Sequence, residues 1–228
     1  MIPCSLFLSF NKLCFKGVED MASLFSIRTF WQDLKANKSM LLVSTILFAV
    51  GIVAGILLVE PLGNYLREQL QQLQVVKEQL NQGQHVELNY FVFIFLNNAI
   101  KSVVIMYLGI FIGIVPVIFL VMNGMIIGFL LRTYDMQGQD VVTLIVKGLL
   151  PHGIFEIPAI LIAAAYSLKL GKLVLDSLTT WNPAGRVQLR IAWKQFMRST
   201  ITASFWLVII LFVAAIIEST VTFWLMQA

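Results

Sequence analysis

The sequence predicts an all-α fold, a polytopic membrane bundle of about five transmembrane helices, and three observations predict it. Of 228 residues, 59% are hydrophobic and 12% are charged, and the mean hydropathy is +0.86, far outside the range of soluble domains. Apolar runs recur at the length that crosses a bilayer core, about 20 residues for roughly 30 Å. Lysine and arginine collect in some connectors between those runs and avoid others, the asymmetry that sets orientation in a membrane. The net charge of +4 therefore reads as loop asymmetry. No basic run with interleaved aromatics stands clear of the apolar segments, so nucleic acid is not an expected partner.

Residues 1–20 hold both cysteines, Cys4 and Cys14, and a broken apolar patch. They lack the basic start, apolar core and small-residue cleavage site of a signal peptide, and read as a tail or an upstream extension before a second start at Met21. Two cysteines in that tail permit no disulfide framework in the body and match no metal-ligand spacing. Residues 21–228 read as one integral membrane domain.

The first span covers residues 40–59. The second, 90–112, holds despite Asn97, Asn98 and Lys101; a third follows "GIVP" over 117–131; a fourth, 141–168, is long enough to cross once with a break; and the fifth covers 201–226. Arg28, Lys35 and Lys38 flank the first span, while Lys169, Lys172, Arg186, Arg190, Lys194 and Arg198 fill the connector before the last. Both segments are expected inside. The connectors after the first and third spans are poor in excess basic charge and are expected outside, which puts the N-terminus in the cytoplasm and the C-terminus outside the plasma membrane.

Three connectors carry patterns of their own. Residues 66–80, "LREQLQQLQVVKEQL", repeat leucine at helical spacing among polar residues and read as a short amphipathic helix. Arg186, Arg190, Lys194 and Arg198 recur every four residues opposite Leu189, Trp193 and Phe196, the pattern of a helix lying among lipid headgroups. "IRTFWQDLK" before the first span also resembles "LRIAWKQFM" before the last, a short hint of a duplicated elbow.

If each span is centred on the bilayer, Asn97, Asn98, Lys101, Asn123, His152 and Glu156 fall near one middle layer and are expected to form a cluster. Charge there costs several kcal/mol at least, so such residues face the bundle interior and pair, or line a wet cavity. His152 and Glu156, four apart, share a helical face, and the natural countercharge for Glu156 is Lys101. Pro151 suits the first turn of a new helix, so 141–150 and 152–168 are expected as two pieces meeting at a break. Pro158 frees the carbonyl of Ile154, which then needs another partner. Gly51 with Gly55, Gly109 with Gly113, and Gly124 with Gly128 make small-xxx-small pairs that let helices approach.

The stretch "FLNNAIKSVVIMYLGIFIGIVPVIFLVMNGMIIGFLL" followed by "LLPHGIFEIPAILIAAAYSLKLG" resembles the stage II sporulation protein M family over nearly the whole chain from Met21. The resemblance implies an integral membrane protein that works with partners in peptidoglycan remodelling during engulfment and septal thinning, the partners supplying the wall hydrolysis. Expected partners are thus membrane lipids, a second copy, or other membrane proteins and wall hydrolases. Catalysis and cofactors are not expected. Histidine occurs only at positions 85 and 152, so there is no H-E-x-x-H zinc site, and there is no G-x-S-x-G nucleophile elbow. The reading is a membrane scaffold. The alternative is a carrier or channel subunit for a small polar or lipid substrate, because polar residues at a broken helix near the midplane also build transport sites.

Overall fold

A computed structural model describes residues 25–60, 63, 68 and 86–222. The expected tail, the amphipathic connector 66–80 and the last residues of the fifth span lie outside the described residues. Helices α1 (Ile27–Ala36), α2 (Lys38–Leu57), α3 (Val86–Leu108) and α4 (Ile114–Met136) are followed by the short α5 (Val141–Thr143). A π-helical stretch, Leu144–Leu149, then leads into α6 (Leu150–Thr179), and α7 (Pro183–Ile217) ends in a second π-helical turn, Glu218–Thr222. No strand occurs among the described residues. Five helices among the described residues are long and apolar enough to cross a membrane.

Several elements run past the apolar counts, because polar residues that interrupt those counts are satisfied locally. Helix α4 continues through Arg132, whose guanidinium meets the Asp135 carboxylate at 2.6 Å one turn on, a pairing that supports a helix face. The elbow and the fifth span are one helix, α7. Across the join, Ser199 and Thr200 donate to the Phe196 carbonyl at 3.0 and 2.8 Å, and Thr202 donates to Arg198 at 3.3 Å, so these hydroxyls bond back within the helix instead of ending it. Asn182 caps α7, its Oδ1 accepting from Gly185 N, with Pro183 in the first turn. Asp140 caps α5 through bonds from Val142 N at 2.9 Å and Thr143 Oγ1 at 2.6 Å.

Helix α6 is the axle of the bundle. It packs against α2, α3, α4 and α7 and is the most buried span, 56% of its window lying inside. Ala159, Ala163, Ala164 and Ala165 make its middle thin and are fully enclosed. The expected discontinuity in the fourth span takes the form of the π-helical stretch. The chain keeps helical geometry through it, and Pro151 sits in the first turn of α6 while Pro158 lies inside that helix.

Two glycine seams set the spacing. Helices α2 and α4 run parallel, with Gly51 and Gly55 against Gly124 and Gly128. A Cβ on these four would overlap the carbonyl oxygens of Val121, Met125, Phe48 and Ile52 respectively. At the second seam a Cβ on Gly109 would overlap the Ser167 carbonyl, and one on Gly171 would overlap the backbone at Gly113. Between α3 and α4 the chain reverses with Ile112 at φ 57° and Gly113 at φ 76°, a left-handed pair that brings the turn flat against α6. The Ser167 hydroxyl donates to the Ile105 carbonyl at 2.5 Å across this seam.

Overpacking a close helix contact costs about 1–3 kcal/mol. Gly124→Ala and Gly128→Ala should therefore each lower the melting temperature in detergent by several degrees. Gly153→Ala should not, because its Cβ would meet only the Ile157 side chain at 3.5 Å.

Candidate functional site

The rotation of α3 decides where the expected cluster goes. Ser102, Ile105 and Gly109 face α6, with Ser102 1% exposed. Asn98 stands on that same stripe, three turns before Gly109, and Glu156 stands three turns before Ser167 on the facing stripe of α6. Helices α3 and α6 are parallel, so Asn98 and half-buried Glu156 fall at the same level along the two helices. Asn97 joins from the side, its Nδ2 donating to Asn98 Oδ1 at 3.3 Å. Asn123 instead turns to its own helix, donating to the Phe119 carbonyl at 2.7 Å. Of His152 only the backbone, in the first turn of α6, is described.

Lys101 lies elsewhere. One residue is about 100° of helical rotation, so with Ser102 pointing at α6 the lysine is carried out to the exposed side with Ile100 and Val104. The ion pair found among the described residues joins Arg132 to Asp135; the expected partnership of Lys101 with Glu156 is not formed. A cavity of about 300 Å³ lies away from this belt, at the far end of α2 and α4, lined by Ile56, Leu57, Val59, Glu60, Arg132 and Met136.

The basic elbow is also re-sited. Arg186, Arg190, Lys194 and Arg198 are exposed, but the opposing face of Leu189, Trp193 and Phe196 joins the protein core, and Trp193 Nε1 donates to Ser177 Oγ of α6 at 3.0 Å. The start of α7 thus forms an antiparallel hairpin with the end of α6. Its tryptophan is not equivalent to Trp31 in α1, which is 62% exposed.

A second polar site, not read from the sequence, joins α1, α6 and α7. Along α1, Phe30, Asp33, Leu34 and Asn37 share one face at i, i+3, i+4 and i+7, and Phe30, Leu34 and Asn37 are buried. Phe30 stacks on Trp206 with ring centroids 6.2 Å apart, and Phe25 meets Phe205 at 4.8 Å. Asn37 and Ser199 stand beside the fully buried Tyr166 hydroxyl, at a geometry short of a formed hydrogen bond, so Tyr166 Oη and Asn37 Nδ2 have no completed bond among the described residues. The charges nearest Asp33 are Lys169 and Arg198. Burial pushes the Asp33 carboxyl up, against the pull of these two cations. The signal available in the sequence was two polar residues on the apolar stripe of an amphipathic helix.

The family model described as stage II sporulation protein M matches residues 44–223. No curated protein and no solved structure matches the chain.

Because the folded-state pKa of Asp33 is raised, its contribution to stability is present in acid and is lost as the pH rises through that value. At neutral pH its buried carboxylate is a cost that Lys169 and Arg198 offset in part. Asp33→Asn should therefore melt at or above the wild-type temperature near neutral pH and flatten the acid-side pH dependence. Lys169→Met should destabilise the wild type more than it destabilises Asp33→Asn, as thermal unfolding of the four proteins measures.

Proposed function

The chain belongs to the stage II sporulation protein M family, and from that premise we propose that it is a membrane scaffold that assembles with partners in peptidoglycan remodelling of the engulfment type, the partners carrying out the wall hydrolysis. The observation that supports this reading is the destination of its intramembrane polar groups. Ser167 ties α6 to α3, Asn97 bonds Asn98, Asn123 bonds its own backbone, and Ser199 and Thr200 bond theirs. The first of these bonds joins two helices, and the others satisfy polar groups within their own helix. Among the described residues, the lining of the cavity of about 300 Å³ at one rim of the bundle includes none of these groups.

A fixed bundle with elbows at one end is suited to presenting surfaces. Helix α1 and the α6–α7 hairpin lie at the same end, where Lys169 and Arg198 act on the Asp33 carboxyl through their charge, and this end carries Arg28, Lys35, Lys172, Arg186 and Arg190. In the proposed orientation it faces the cytoplasm of the cell membrane. The α4–α5 turn, with Asp135 and Asp140, then faces the wall.

Two measurements test these statements. With the native cysteines replaced, a cysteine at Gln139 should react with an impermeant maleimide in intact cells and one at Arg190 only after lysis; the reverse pattern refutes the orientation. Tagged chain extracted gently from its own membranes should bring down a protein with a wall-hydrolase domain in near-equal amount. Recovery of the chain alone, with small solutes or lipids raising its melting temperature, would instead establish the carrier.

A further inference from the structure

We infer that the exposed face of α3 around Lys101 receives a transmembrane helix of another protein, one that carries an aspartate or glutamate within its membrane span. The inference rests on the scaffold reading and names the chemistry of its partner. Lys101 lies inside the span Leu88–Leu108 on an otherwise apolar exposed surface of Leu96, Ile100, Val104 and Tyr107. It has no ion pair among the described residues. Seven residues separate it from the end of α3, about 10 Å of helix rise, which exceeds what a four-carbon stem spans. The turn beyond is itself apolar and exposed, with Ile110, Phe111 and Ile112 56%, 59% and 46% accessible, so the polar boundary is no nearer. An ammonium held there needs an anion at its own depth.

A second copy of this chain fits less well. Among the described residues, the exposed carboxylates in or near the outer ends of the spans, Glu60, Asp135 and Asp140, and the half-buried Glu218, sit toward the opposite end of the bundle, and Asp135 already meets Arg132. Two upright copies cannot bring them to the level of Lys101. Glu156 is nearest in depth, but it is half-buried on the stripe of α6 that faces α3. Charge complementarity therefore selects a foreign carboxylate, and an apolar helix with one acid matches the exposed strip in character, apolar but for a single charge.

Zero-length coupling tests this in the native membranes of the producing cells. Dicyclohexylcarbodiimide enters the bilayer and condenses a carboxylate with an adjacent amine to an amide, the water removed converting the carbodiimide to a urea. Mass spectrometry should find Lys101 linked to an acidic residue in the span of another polypeptide. Lys101→Arg should lose the link and keep co-purification of that polypeptide, while Lys101→Met should lose both, co-purification falling roughly tenfold or more. A link to Glu156, in the same copy or in an isotope-labelled second copy, or no link at Lys101, overturns the inference. If a partner co-purifies undiminished with Lys101→Met, the inference fails and the scaffold stands; if the wild type brings down no partner, both fail.

Discussion

Everything in this bundle depends on backbone reaching backbone. Lipid removes the hydrophobic drive that holds helices together in water, leaving dispersion contacts and a few hydrogen bonds. Those forces fall off steeply with distance, so the fold needs places where no side chain intervenes. Gly51, Gly55, Gly124 and Gly128 supply one, and Gly109, Gly113 and Gly171 supply the other. The alanines of α6 extend the effect, letting four neighbours close around a single central helix.

Close approach then governs the polar residues. With α3 set against α6 by Gly109, its register puts Ser102 and Asn98 inward and Lys101 outward; a rotation of one residue would reverse these roles. The same seam brings the Ser167 hydroxyl to the Ile105 carbonyl. Farther along α6, Tyr166 and Lys169 meet the elbow through Asn37 and Asp33, so one helix links the membrane core to the surface where α1 lies. The seams thereby hold the outward-facing residues at fixed angles.

Much of this was legible in the sequence. The five spans follow from apolar length, and the pairs Gly51 with Gly55 and Gly124 with Gly128 follow from their spacing, because both depend on local pattern alone; Gly113, expected to pair with Gly109 on a helix, instead takes the left-handed turn before α4. Helix ends were less legible: the hydropathy of residues 132–136 and 198–200 falls, yet Arg132 finds Asp135 and Thr200 finds the Phe196 carbonyl, so the helices continue. The pairing of Lys101 with Glu156 misled because depth was readable but rotation was not, and rotation is fixed by Ser167 and Gly171, small residues sixty positions away. The junction at Asp33, Asn37 and Tyr166 was hidden for a related reason. Its members are far apart in sequence, and only the folding of α1 back along α7 brings them together.

The α2–α4 glycine seam fixes the geometry of the bundle, and the distance between these two helices is its sharpest test. Nitroxide labels at Ile46 and Ile118, both exposed at 53% and 58%, can be placed in a chain with Cys4 and Cys14 replaced, in nanodiscs, and read by pulsed electron paramagnetic resonance. One narrow distance is expected in the otherwise native chain, and a longer, broader distribution when Gly124 is changed to leucine. An unchanged distribution in the leucine variant would mean that something other than backbone contact holds these helices in register.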